Sequence, residues 1–112
     1  MQDLNKVIDA ISHLQYVSHK VAIDHGFNSG NQDEAKTICL IHAELSEALE
    51  GLRHGNPPSD HIPEYSAVEE ELADVIIRVM DYAEGKNYDI ANAIVAKIQY
   101  NTNRPYKHGK AF

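Results

Sequence analysis

Two short acidic spacings in this 112-residue chain have the residue types and the geometry for chemistry: Glu44-x-x-Glu47 and Glu71-x-x-Asp74. Residues three apart on a helix lie about 60° apart around the axis and about 4.5 Å apart along it. Both carboxylates of each pair therefore project from one side. If the two helices pack side by side, four carboxylates meet in one small volume. Like charges that close repel one another, and a bound cation relieves the repulsion. Carboxylate oxygens are hard ligands, which selects Mg²⁺, or Mn²⁺, over zinc or copper. Glu44, Glu47, Glu71 and Asp74 are thus the expected metal ligands. Either pair alone is an ordinary solvated helix spacing; two pairs on consecutive helices, each bordering an apolar stripe, favour a site. Glu69 and Glu70 read instead as carboxylates at a helix N-terminus, where the macrodipole favours them.

Other chemistries find less support. Di-iron bundles use Glu-x-x-His pairs, and none of the seven histidines follows a glutamate at that spacing. His42 lies about 200° around the helix from Glu44 and reads as a packed or surface histidine. No histidine or cysteine pairing suggests zinc, and there is no glycine-rich phosphate loop of the Walker type. The sole cysteine, Cys39, cannot form an internal disulfide and reads as a small core residue. No serine sits in a strand-turn-helix elbow. What remains is metal-assisted attack by water.

Four helical patterns carry these residues. The first runs from about Asp3, its cap, to His25, with Leu4, Val7, Ile8, Ile11, Leu14, Val17 and Val21 at helical spacing and Gly26 ending it. The second is expected to start at Asn31, with Glu34 three residues on, and to reach Gly55. Ile38, Ile41, Leu45, Ala48, Leu49 and Leu52 form its core face. Pro57-Pro58 marks a break. The third opens between Pro63 and Ser66, where Ser66-x-x-Glu69 fits a capping box. Its apolar stripe is Val68, Leu72, Val75, Ile76, Val79 and Ala83; beside it runs a polar one, Glu71, Asp74, Arg78 and Asp81. Arg78 is either a direct positive charge on the acidic helices or a partner for Asp74 or Asp81 on its own helix. Gly85 closes this helix, and the fourth runs from Asn87 or Asp89 to Asn101. The fold class is all-α, a four-helix bundle.

The length fits one domain spanning 1–112. The acidic balance, 17 Asp+Glu against 10 Lys+Arg, argues against general nucleic-acid binding. No apolar run has membrane-spanning length and no signal peptide is evident, so the expected location is cytoplasmic. Runs such as Ile38-Cys39-Leu40-Ile41 and Val75-Ile76-Ile77 exceed a single stripe, which predicts a homodimer or a dimer of dimers that completes the bundle.

The chain resembles the MazG-like, all-α nucleoside triphosphate pyrophosphohydrolases. Their acidic signature matches Glu44-x-x-Glu47 and Glu71-x-x-Asp74, although the first glutamate of the pattern is Ala43 here. The similarity extends through Ile41 to Glu50, Glu71 to Arg78, His25-Gly26-Phe27, and the ending from Lys97 to Phe112, which contains His108-Gly109-Lys110. The resemblance implies Mg²⁺-dependent hydrolysis of an NTP or dNTP between the α and β phosphates, giving the monophosphate and pyrophosphate, a reaction suited to clearing the nucleotide pool. It implies that Glu47 is a metal ligand or the group that orients or deprotonates the attacking water. Lys97, Asn101 and Arg104 are then the expected phosphate-side contacts. Phe27 is the candidate to stack on the base, or else a plug for the end of the bundle. A competing reading is a non-catalytic helical dimer that binds a nucleotide or a partner and keeps the acidic site as a structural metal clamp.

Overall fold

In the computed structural model, which describes residues 3–111, four α-helices follow one another: α1 (Leu4–Asp24), α2 (Glu34–Arg53), α3 (Ala67–Gly85) and α4 (Ile90–Thr102). The side chain of His108 and residue Phe112, both in the stretch similar to the MazG-like ending, lie outside the described residues. Among the described residues there is no strand, only an isolated antiparallel bridge between Pro58 and Ser66. Short 3₁₀ turns occupy Ser29–Asn31 and Tyr106–Gly109. No helix is long and apolar enough to cross a membrane among these residues.

Side-chain caps set the helix starts. The first amides of a helix have no partner within it, and a carboxylate or hydroxyl just upstream supplies one. Asp3 accepts from the Asn5 amide, Asp33 from Ala35 and Asp89 from Asn92. Ser66 and Glu69 form a complete capping box on α3. At the end of α1, Gly26 takes the left-handed step, φ +91°. The expected Asn31 start of α2 is corrected to Asp33. Asn31 instead ends a 3₁₀ turn whose Ser29 is pinned to α3 by Asp81, so the chain cannot begin a helix until it has left that anchor.

The packing is a sequence of pairs rather than a closed square. α3 packs against α2 on one side and α1 on the other, and α4 packs on α1. α1 and α3 run antiparallel, since His19 meets Asp81 while Gln15 reaches Glu84. The buried apolar residues are small or few: Ala48, Met80, Ala83, Ala91 and Val95. Here the expected core is corrected. Leu45, Leu49, Leu52, Leu72 and Ile76 are exposed, with Leu49 at 49%, because none of the described elements covers them. Cys39 is likewise exposed, not a core residue. The chain exposes 8191 Å², against about 6,200 Å² for a folded monomer of its mass. Its radius of gyration is 16.3 Å, where a compact domain of this length has about 13 Å.

Candidate metal centre

The antiparallel α2–α3 hairpin brings its two acidic spacings face to face. Glu44, Glu47 and Glu71 each offer a carboxylate oxygen, and these atoms all lie within 4.8 Å of one another. Glu71 Oε2 is buried and has no hydrogen-bond partner among the described residues, a costly state for an acceptor. Burial first, then contact with the Glu44 and Glu47 carboxyls and their charge, pushes the Glu71 carboxyl up to about 7. Asp74 stands one turn further along α3 and is outside that tight trio. Its carboxyl is also raised, by burial and then by the charges of Glu44 and Glu70, against the pull of Arg78 and His61. Of the two readings of Arg78, pairing along its own helix is not the one the structure shows. Its Nε donates to Glu44 Oε1 at 2.9 Å across the helix pair, because the hairpin puts that carboxylate, whose side chain is 14% exposed, within reach. Hard oxygen donors with one orphaned oxygen fit a divalent cation such as Mg²⁺.

The loop from α2 to α3 is fastened beside this cluster. Ser59 Oγ donates to Glu70 Oε1 and accepts the amides of His61 and Ile62, while His61 Nδ1 lies 2.7 Å from Glu70 Oε2. The Ser59 hydrogen bond, then the one from His61, holds the Glu70 carboxyl below the usual range. The same contact raises the His61 imidazole. Glu70 is therefore a loop anchor as well as a favoured charge near a helix N-terminus.

A cleft of about 580 Å³ opens between α1 and α3 next to the carboxylates. Leu14, Val17 and Val21 give it an apolar wall, Phe27 also lines it, and Asp74, Arg78 and Asp81 line the α3 side. Phe27 is 62% exposed, so it borders the cleft and does not plug the bundle. Asp81 is fixed from behind. Its Oδ1 lies 2.9 Å from His19 Nδ1 and accepts the hydroxyl of buried Ser29 at 2.9 Å. The composition Ser-His-Asp is not a catalytic triad here, because serine and aspartate both approach the same ring nitrogen.

The fourth helix stays apart from this site within one chain. Gln15 bonds the Tyr88 carbonyl, and Ser12 shares a recess with Asn92, so α4 runs toward the start of α1. The acidic residues lie toward the end of α1. Helical rise then puts Lys97, Asn101 and Arg104 on the order of 30 Å from Glu71. None of the three lines the cleft. Lys97 Nζ sits 4.5 Å from the centroid of the Tyr100 ring and the Arg104 guanidinium 5.5 Å from it. The chain thus assembles three metal-ligand candidates, a fourth beside them, and Phe27 in the adjoining cleft. It leaves the three α4 residues elsewhere.

Two features escaped the sequence reading. Asp81 had a signal, since 71, 74, 78 and 81 follow one helix face, but nothing local showed that His19 and Ser29 would hold it. The His61–Glu70 clasp had none, because a loop's path is not written in periodicity. No protein-family model, no curated protein and no solved structure matches the chain.

Proposed function

We propose that the protein is a metal-dependent nucleoside triphosphate pyrophosphohydrolase, cleaving an NTP or dNTP to the monophosphate and pyrophosphate. The observation that carries the reading is the orphaned, buried Glu71 oxygen facing two further carboxylates. Near neutral pH such a cluster keeps its negative charge at a stability cost, and a hard divalent cation removes the cost. Glu44, Glu47 and Glu71 would hold the ion, with Asp74 completing the donors. The bound ion would supply Lewis acidity toward phosphate oxygens and would acidify the attacking water. Glu47, the most exposed of the trio, is the carboxylate free to orient that water or accept its proton. Arg78 steadies Glu44 and adds positive charge at the cleft. Phe27 offers a ring for the base to stack on. The resemblance to the MazG-like enzymes in the acidic signature supports the same reaction.

The reading includes a homodimer or a dimer of dimers. The surplus exposed area, about 2,000 Å² by comparison with a typical monomer, exceeds the ~800 Å² that one partner buries in a standard interface. The exposed leucines of α2 supply its apolar part. Lys97, Asn101 and Arg104 would then reach the phosphates across an interface, since α4 is remote from the carboxylates of its own chain.

Pyrophosphate release from a panel of NTPs and dNTPs with Mg²⁺ or Mn²⁺ tests the reaction. Glu47→Gln and Asp74→Asn should each lower turnover by at least about a hundredfold with unchanged helical content. Full turnover in both variants, or none in the wild type with any nucleotide, sinks the proposal. Nucleotide binding without pyrophosphate release would favour the non-catalytic dimer.

A further inference from the structure

The cleft beside the carboxylates is apolar on its α1 side, yet it carries one fixed acceptor that the hydrolytic reading does not use. Asp81 lines it, and its side chain is 21% exposed. Oδ1 is committed to His19 and to the Ser29 hydroxyl. Oδ2 has no hydrogen-bond partner among the described residues and is not buried. The Ser29 hydroxyl also stands 3.2 Å from the Asp81 backbone carbonyl; both contacts on the carboxylate itself fall on Oδ1, which anchors that oxygen and leaves Oδ2 to the cleft. A carboxylate only accepts hydrogen bonds. Held against an apolar wall, it favours a ligand that brings an N–H donor and disfavours one that brings a carbonyl.

Its position fits the base end of a nucleotide. Asp74 and Asp81 are seven residues apart on one face of α3, about 10 Å along the helix, with Arg78 between them. That is comparable to the reach from a nucleotide's α-phosphate to the outer edge of its base. Phe27 borders the same space. We propose that Asp81 selects nucleotides whose base carries an exocyclic amine on the edge opposite the sugar: cytosine over uracil or thymine, and adenine over hypoxanthine. The amine donates to Oδ2, and a keto oxygen at that place faces the carboxylate with no proton between them. A base laid over the cleft covers Oδ2, and an analogue that lacks the donor then leaves the carboxylate covered and unpaired, so it binds more weakly. This inference rests on the nucleotide reading of the site and adds the class of base.

The test is calorimetric titration of dCMP, dUMP, dAMP and dIMP into the Mg²⁺-loaded full chain, with pyrophosphate release from dCTP and dUTP measured in parallel. dCMP should bind about ten- to a hundredfold more tightly than dUMP, and dAMP should exceed dIMP by a similar factor. Asp81→Asn keeps an oxygen for His19 and Ser29 and places an amide N–H in the cleft, so it should invert or level both ratios. Asp81→Ser, which removes the charge, should bring them toward one and serves if the amide variant does not fold. Equal affinities in the wild type, no binding of any monophosphate, or unchanged ratios in the folded variants would overturn the assignment. Selective binding with no pyrophosphate from either triphosphate would leave it standing and remove the hydrolytic reading. Equal pyrophosphate release and equal binding for cytosine and uracil would do the reverse.

Discussion

Glu71 is the carboxylate on which the charge of the cluster falls hardest, and its protonation sets how the metal-free protein answers to pH. Its carboxyl is raised from about 4.5 to about 7 by burial and by its two neighbours. The folded chain therefore holds a proton that the unfolded chain has already released. Stability from this group is fully present below the unfolded value and is lost as pH rises through the folded one. In EDTA the melting temperature should fall between about pH 4.5 and 7, and Mg²⁺ should restore it most at the upper end. Glu71→Gln should flatten the profile and raise metal-free stability at neutral pH by on the order of 1–2 kcal/mol, after allowance for solvent screening, while abolishing the Mg²⁺ response. A metal-free melting temperature that climbs across that window would count against the assignment. The carboxylate pairs themselves were legible, because a three-residue spacing fixes a helix face. The partner of Arg78 was not, because periodicity does not say which helix comes next.

At the scale of the elements, local chemistry announced the helices well. The Asp3 and Ser66 caps, Gly26 as a terminus and the break at Pro57-Pro58 all agree with the structure. α2 is shorter than expected at both ends: it stops at Arg53, and its start shifted to the Asp33 cap because a tertiary contact holds Ser29 in a 3₁₀ turn. That contact depends on Gly85. A Cβ there would collide with Ser29 Oγ and stand 2.8 Å from the Gly30 amide nitrogen. In an open helix alanine would be favoured over glycine by about 1 kcal/mol. Here crowding should win, and Gly85→Ala should destabilise by about 1–3 kcal/mol, lowering the melting temperature by several degrees. Denaturant titration gives the sign directly: a stabilised variant would show that the turn yields without cost.

For the whole molecule, the apolar stripes were read correctly as stripes and wrongly as a core. Leu45, Leu49 and Leu52 recur at helical spacing, yet hydrophobic periodicity marks a face to be covered without saying whether the cover lies in the same chain. The structure leaves that face of α2 open and keeps the buried apolar set to residues such as Ala83 and Val95. Light scattering at micromolar concentration should find a species of at least twice 12.5 kDa. Leu49→Glu, which places a charge on the exposed face, should shift the protein toward the monomer and lower its melting temperature. A wild type that stays monomeric would remove the proposed interface, and with it the proposed route by which α4 residues would meet the phosphates.

The bare Cα of Gly85 also acts as a depth gauge. Phe27 and Gln32 line the cleft, and between them Ser29 and Gly30 rest on α3 where residue 85 has no side chain. One added methyl group would serve as a shim, lifting that segment outward and moving the Phe27 ring without altering a single group that lines the space. The room available to a ligand in the cleft is then adjusted from behind the wall. Variants with altered ligand size are accordingly to be sought at position 85 and in the Ser29 turn as well as among the residues a ligand would touch.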